Sequence, residues 1–253
     1  MPPKHPRDQF LSVYGRKPVM ELLQMPDVRI DKLLLAANAK GELIAEILEL
    51  CRQRGIIPLR STAQEVSRFS KNPTQDQGIV ADVVVEHMDD WNNYLQEQSG
   101  NRTALAIMAF DGVTTPANVG MVIRSATALG VSGILLPRKG CSDLNPLVIK
   151  ASAGVVFRSH LLKCETLPPA LEKAKQAGFV IYALDAGAGS VDIFQHQFAE
   201  RCIFVMGNES VGIAPATARL VDKWLQIPMF NGVESLNVAC AASIVAAEWR
   251  RRL

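Results

Sequence analysis

The chain has 253 residues, 48% of them hydrophobic and 21% charged, which is enough apolar content for one large core or two modest ones and unlike disordered or fibrous sequences. The net charge is +2, unevenly spread: residues 1–100 carry 12 Lys+Arg against 14 Asp+Glu, a net of −2, and residues 101–253 carry 15 against 11, a net of +4. An excess this small permits nucleic-acid binding without demonstrating it.

The first stretch, MPPKHPRDQF, has basic residues but no apolar h-region, and no unbroken apolar run further on is long enough to cross a bilayer. Secretion and membrane insertion are not indicated, and a cytoplasmic location is expected. The five cysteines Cys51, Cys141, Cys164, Cys202 and Cys240 are scattered, odd in number and without a C-x-x-C pair. They suggest neither a disulfide framework nor a zinc site, and no metal is expected.

After an N-terminal tail over 1–11, apolar residues recur at helical spacing in 12–25 and 42–54, with KLLLAA, IIPL and IVADVVV reading as short buried strands. These form a small α/β domain over 12–85. Residues 86–102, polar and acidic with Ser-Gly-Asn near the end, read as a linker. A second domain spans 103–253. In it, strands ALAIMAF, SGILLP, HLLKC, FVIYALD, CIFVMG and WLQIPM are separated by helices over NVGMVIRSATALG, LVIKASAG and PPALEKAKQAG, and a long helix starts near Leu236. This alternation predicts a mostly parallel sheet covered on both faces. In such sheets ligands collect beyond the carboxyl ends of the strands, here after Phe110, Met206 and Met229.

The first of these loops reads FDGVTTPANVGMVIRSATALGV. Asn118 is placed to cap the following helix, and Arg124 lies within two turns of it. The pair serves equally as an N-cap with a surface arginine or as an anion or ribose site. In the second, FVMGNESVGI, Gly207 follows a strand where a bound molecule could touch bare backbone. Glu209 there is either a cap for a short helix from Ser210 or a carboxylate that accepts hydrogen bonds from hydroxyls, amides or Arg124. In the third, IPMFNGVESLNVACAASIVAAEW, Asn231-Gly232 marks a turn, and Ser235 and Asn237 flank Leu236 ahead of a helix of small residues. Ser235 is an N-cap on the plain reading and part of a polar site on the other.

Together DGVTTPANVGMVIRSATALGV, VMGNESVGI and IPMFNGVESLNVACAASI resemble, in order, the three motifs of the SpoU-type RNA ribose 2′-O-methyltransferases of the SPOUT class, TrmH-like enzymes. Residues 12–85, with YGRKPVMELL and QGIVADV, are similar to the substrate-binding domain of L30e-like fold that many of them carry. The resemblance implies S-adenosylmethionine as methyl donor, a deep trefoil knot and a homodimer with sites at its interface. It implies RNA as substrate, ribosomal RNA ahead of transfer RNA. Asn118, Arg124, Glu209, Ser235 and Asn237 match the family's polar active-site positions; Gly207, Ile227, Met229 and Leu236 match positions that line the cofactor. Thr115 stands where Asp often precedes Pro in the first motif, and Ala239-Cys240 replaces the usual Ser-Val.

None of the four histidines, His5, His87, His160 and His196, falls in these motifs. A guanidinium is a very poor base, so Arg124 reads better as a clamp on the target phosphate. A nicotinamide-linked oxidoreductase would need G-x-G-x-x-G, and the nearest match, Gly187-Ala188-Gly189, has Asp192 where the third glycine belongs. An inactive RNA-binding protein of the same fold is the other alternative, and the presence of all five polar positions argues against it.

Overall fold

The computed structural model describes residues 10–253 apart from Asp27, Glu86, Arg102, Ala186 and Ala188, so most of the expected tail over 1–11 lies outside the described residues. The N-terminal part is a four-stranded sheet in the order β1-β4-β2-β3, made of β1 (Phe10–Tyr14), β2 (Ile30–Ala36), β3 (Leu59–Ser61) and β4 (Ile79–Val84). β4 runs antiparallel to both β1 and β2, and β3 is parallel to β2. Helices α1 (Arg16–Leu23), α2 (Glu42–Gln53) and α3 (Ala63–Ser70) accompany it. The helix expected from residue 12 is split by Gly15, whose φ of 90° suits a residue without Cβ. Residues 10–14 before it pair with β4 as an edge strand. Helix α3 carries a capping box, Thr62 with Glu65, a signal that sequence analysis passed over.

The larger sheet has eight strands in the order β10-β12-β9-β11-β6-β7-β8-β5, and every neighbouring pair is parallel. Its members are β5 (Met88–Asp90), β6 (Leu105–Asp111), β7 (Gly133–Pro137), β8 (Leu161–Cys164), β9 (Val180–Leu184), β10 (Val191–Asp192), β11 (Arg201–Gly207) and β12 (Lys223–Gln226). Its helices are α4 (Trp91–Glu97), α5 (Pro116–Ala128), α6 (Pro146–Ala151), α7 (Leu167–Gln176), α8 (Pro215–Ala218) and α9 (Val238–Arg251). The chain builds β6, β7 and β8 outward in one direction. It then returns to the other side of β6, where β11 inserts between β9 and β6. Strand order reverses there, and that reversal opens a crevice at the carboxyl ends.

Side chains of β6 and β11 alternate strictly between two cores. Ala106, Met108, Phe110, Cys202, Phe204 and Met206 join one with α5 and α9, and this core continues into the N-terminal sheet through Val28, Val83 and Val85. Ile107, Ala109, Ile203 and Val205 join the other with α4 and α7. Within 86–102, expected as a linker, residues 88–97 instead supply an edge strand and a helix of the large sheet: β5 pairs with β8, and Trp91, Tyr94 and Leu95, at i, i+3 and i+4, are buried. The polar majority of that segment is the solvent face of an amphipathic helix capped by Asp90, not an extended tether. Among the described residues no helix is long and apolar enough to cross a membrane.

Candidate functional site

At the carboxyl ends of β9, β11 and β12 lies a cavity of about 240 Å³. Gly207, Ile227, Met229 and Leu236 all line it, together with Glu209 and Ser235. Ile227 and Met229 lie beyond the end of β12 rather than within a strand, so their side chains are free of the sheet's strict alternation.

Gly207 is required by close packing: a Cβ there would lie 2.7 Å from the Gly212 carbonyl carbon and 2.9 Å from Ile213 Cδ1. The loop returns on itself through reciprocal backbone hydrogen bonds between Asn208 and Gly212, at 3.0 and 2.9 Å. Gly212 adopts a φ of 68° at that return. Asn208, a residue that sequence analysis did not single out, organises the loop. Its Oδ1 accepts from Ser210 N at 2.9 Å and its Nδ2 donates to Gly112 O at 2.8 Å, tying the second motif loop to the first. Its signal was an Asx-turn residue directly after a strand-ending glycine. No helix starts at Ser210; α8 begins five residues later, so Glu209 caps nothing.

Its partner is Asn118. That residue was expected to cap α5, but the cap is Thr115, followed by Pro116, and Asn118 sits inside the first turn, 8% exposed, with its amide facing the second and third loops. Asn118 Nδ2 donates to Glu209 Oε1, and Asn237 Nδ2 donates to Asn118 Oδ1 at 3.0 Å. Asn237 is itself the N-cap of α9, its Oδ1 accepting from Ala239 N at 2.8 Å. The cap expected at Ser235 therefore belongs to Asn237, and Ser235 is left at the cavity wall. Three polar side chains, one from each of the three motifs, thus form one hydrogen-bonded chain beside the cavity. Both ends of the Asn118 amide are committed, which fixes its orientation.

Arg124 is not part of this chain. It is exposed on the outer face of α5 with Ala117, Met121 and Ala128, and among the described residues it has no hydrogen-bond or ion-pair partner. The inner face of α5 packs on α6 at Gly120, where a Cβ would meet Ala151 Cβ and Val148 O at 2.6 Å each, and on the small residues of α9. Ala239, Ala242 and Ala246 on that helix are buried within the chain.

The cavity wall combines apolar and anionic groups. Leu184, Leu225, Ile227 and Val238 supply apolar wall, while Asp185, Glu209 and Glu234 supply carboxylates. The bare backbone at Gly207 allows close approach. Among the described residues no group of three or more His, Cys, Asp or Glu is arranged to hold a metal ion.

Residues 105–247 match the model of the SpoU rRNA methylase family. The chain belongs to the SpoU family of RNA methyltransferases. Residues 12–85 match the RNA 2′-O ribose methyltransferase substrate-binding domain. A protein of Mycolicibacterium vanbaalenii named as an uncharacterized tRNA/rRNA methyltransferase is 29% identical over 97% of this chain and 77% of its own length. A Staphylococcus aureus protein assigned to the TrmH family of tRNA/rRNA methyltransferases is 26% identical over 95% of both chains. Among solved structures, the AdoMet-bound rRNA methyltransferase of Sinorhizobium meliloti matches 98% of this chain and 89% of its own, with 25% identity and a TM-score of 0.63. The SpoU methyltransferase AviRb of Streptomyces viridochromogenes shares the fold at 23% identity and a TM-score of 0.65, over 100% of this chain and 94% of its own.

Proposed function

We propose that this SpoU-family chain transfers a methyl group from S-adenosylmethionine to a ribose 2′-hydroxyl of structured RNA, ribosomal RNA in preference to transfer RNA. The observation that carries this reading is the Glu209–Asn118–Asn237 chain at a cavity with Gly207 on its wall. The donor supplies an electrophilic methyl group on a cationic sulfur. Gly207, Ile227, Met229 and Leu236, which line the cavity, would hold it and keep water out. Asn118, fixed at both ends, presents a rigid polar group to the ribose, and Ser235 adds a hydroxyl at the same wall. Positioning of this kind supplies much of the rate in a displacement that neutralises charge. Arg124 clamps a phosphate of the target nucleotide.

Ribosomal RNA is preferred because the chain carries the substrate-binding domain beside a domain that matches rRNA methylases. We read the active form as a homodimer in the cytoplasm. Val211 and Phe230, 81% and 77% exposed, extend apolar surface beside the cavity with Val233 and Leu236, and a second chain would cover it. The trefoil knot goes with this reading: the third motif loop and α9 would be drawn through the second.

The test is incubation of the protein and methyl-labelled S-adenosylmethionine with ribosomal and transfer RNA pools from a strain lacking the gene. Nuclease digestion then resolves 2′-O-methyl nucleosides. Label in 2′-O-methyl nucleosides of ribosomal RNA is expected. Label in transfer RNA only would move the substrate, base methylation would overturn the 2′-O assignment, and no label in any RNA would sink the reading.

A further inference from the structure

Three loops of the N-terminal domain meet at one edge of its sheet. Antiparallel pairing puts Tyr14 of β1 beside Val80 and Leu35 of β2 beside Ile79 of β4. The segments that follow β1 and β2 and the one that precedes β4 therefore emerge side by side. We propose that this edge, built from residues 15–17, 38–41 and 71–77, is the surface that grips the phosphate backbone of the RNA; this rests on the reading of the chain as an RNA methyltransferase.

Arg16 locks the three loops together. Its backbone N donates to Gln77 Oε1 at 3.1 Å, its Nε donates to Gln77 O at 3.2 Å, and its Nη1 donates to Lys40 O at 3.1 Å. Asn72 braces the third loop against the first by donating to Tyr14 Oη at 3.2 Å. The backbone is held in left-handed conformations at two residues that bear side chains, Lys71 with φ 54° and Gln77 with φ 51°. At Lys71 this is the left-handed cap that ends α3, and at Gln77 it is held by the contacts to Arg16.

The charges are sorted as an anion-binding edge requires. Lys17, Lys40 and Lys71 are exposed, and among the described residues none has a side-chain partner. The carboxylate in the same loops, Asp76, is only 4% exposed. It is turned inward, accepting from Ser67 Oγ at 2.7 Å, Ser70 Oγ at 3.0 Å and Gly78 N at 2.9 Å. Some basic side chains elsewhere are matched, Arg52 with Glu49, Lys150 with Glu21 and Lys175 with Asp222, while Arg124 is not. Three exposed ammonium groups around a guanidinium that is held in place, on a domain matched to RNA substrate binding, fit a polyanion followed along its backbone.

The variant Lys17→Glu/Lys40→Glu/Lys71→Glu and its neutral counterpart with three Gln replacements test this in the full chain. Filter binding to total ribosomal RNA across a salt series should show at least about a tenfold loss of affinity for the Glu variant and a smaller one for the Gln variant. The slope of log affinity on log salt should flatten by about two to three, since each lost phosphate contact removes roughly 0.7 to 0.9. S-adenosylmethionine binding by calorimetry should be unchanged, which shows the variants to be folded. At saturating RNA the methyl-transfer rate should stay within about threefold of wild type, because these loops do not line the cavity. Wild-type affinity and slope in the Glu variant, or a transfer rate that collapses at saturation, would overturn the proposal. A wild-type protein that methylates no RNA fails on different grounds, those of the functional reading itself.

Discussion

Asn118 and Glu209 lie 91 residues apart in the chain and share a hydrogen bond from amide to carboxylate, while Asn237 holds the opposite end of the same amide at 3.0 Å. An amide is the side chain that suits this place, because it can donate to a carboxylate and accept from a second amide at once. Asn118→Asp keeps the shape and the acceptor but sets two carboxylates face to face. Like charges at that separation push one acid's pKa upward, so the pair will share a proton at low pH. Methyl transfer should fall about 100-fold near neutrality, as expected for a misplaced positioning group, and partly recover on acidification. Single-turnover rates against pH test this, and a flat profile at wild-type rate would show that the bridge positions nothing.

Gly207→Ala puts a methyl group into space already filled by the Gly212 backbone and Ile213. The loop must shift, which should cost about 1–3 kcal/mol of stability and abolish cofactor binding. Gly120→Ala provides the contrast. It overpacks α5 against α6 by a similar clash, away from the cavity wall, so it should lower the melting temperature and leave cofactor affinity near wild type in the folded fraction. Calorimetric titration of both variants decides, and tight cofactor binding by Gly207→Ala would contradict the role given to that wall.

The alternation of strands and helices in the second domain was legible because it is a long-range pattern: buried strands such as LAIMAF read as continuous apolar runs, and the first three were each followed by a helical stretch. The three loops were legible as loops, since Gly112, Gly207 with Gly212, and Asn231-Gly232 punctuate strand ends. Less legible was which polar atom faces which. Asn118 and Ser235 both look like caps in sequence, yet neither is one, because Pro116 at the first helical position starts α5 after Thr115 and Asn237 caps α9. The segment 88–97 was misread because its acidic composition hid three buried residues at helical spacing. Small residues in α9 signalled close packing, and Ala239 and Ala242 pack within this chain, but sequence does not say which neighbour a small-residue face meets.

His196 gives a pH-dependent stability. Its ring packs against Tyr182 and Phe198 with centroids 5.2 and 5.5 Å away, and its Nε2 is shielded from solvent without a hydrogen-bond partner, although the ring as a whole is only partly buried. Burial lowers its pKa, and the positive charges of Lys223 and Arg252 lower it further. A histidine whose folded pKa lies below the unfolded value of about 6.5 favours the native state when neutral. Its contribution is full above that value and is lost as pH falls through the folded pKa. The melting temperature should therefore decline below about pH 6.5, and His196→Phe should flatten that part of the curve. Parallel pH dependence in the two proteins would assign the decline to other groups.

Arg124 separates two views of the chemistry. In a helix each residue advances about 100°, so the six steps from Asn118 turn Arg124 roughly 240° away, and it lies on the exposed face while Asn118 points inward. That placement leaves the guanidinium open for an incoming phosphate. As a clamp it offers a bidentate fork that lysine lacks. Arg124→Lys should then lose about tenfold in transfer rate with weakened RNA engagement, and Arg124→Ala about 100- to 1000-fold, the usual loss when a preorganised charge-stabilising donor is removed. If the side chain were instead the base, Lys would deprotonate more readily, sustain transfer and move the pH dependence of kcat, with RNA binding intact. Single-turnover rates against pH for wild type, Lys and Ala, at saturating cofactor, with RNA affinity measured alongside, distinguish the two. The clamp fails if Arg124→Ala binds RNA normally and loses only the chemical step.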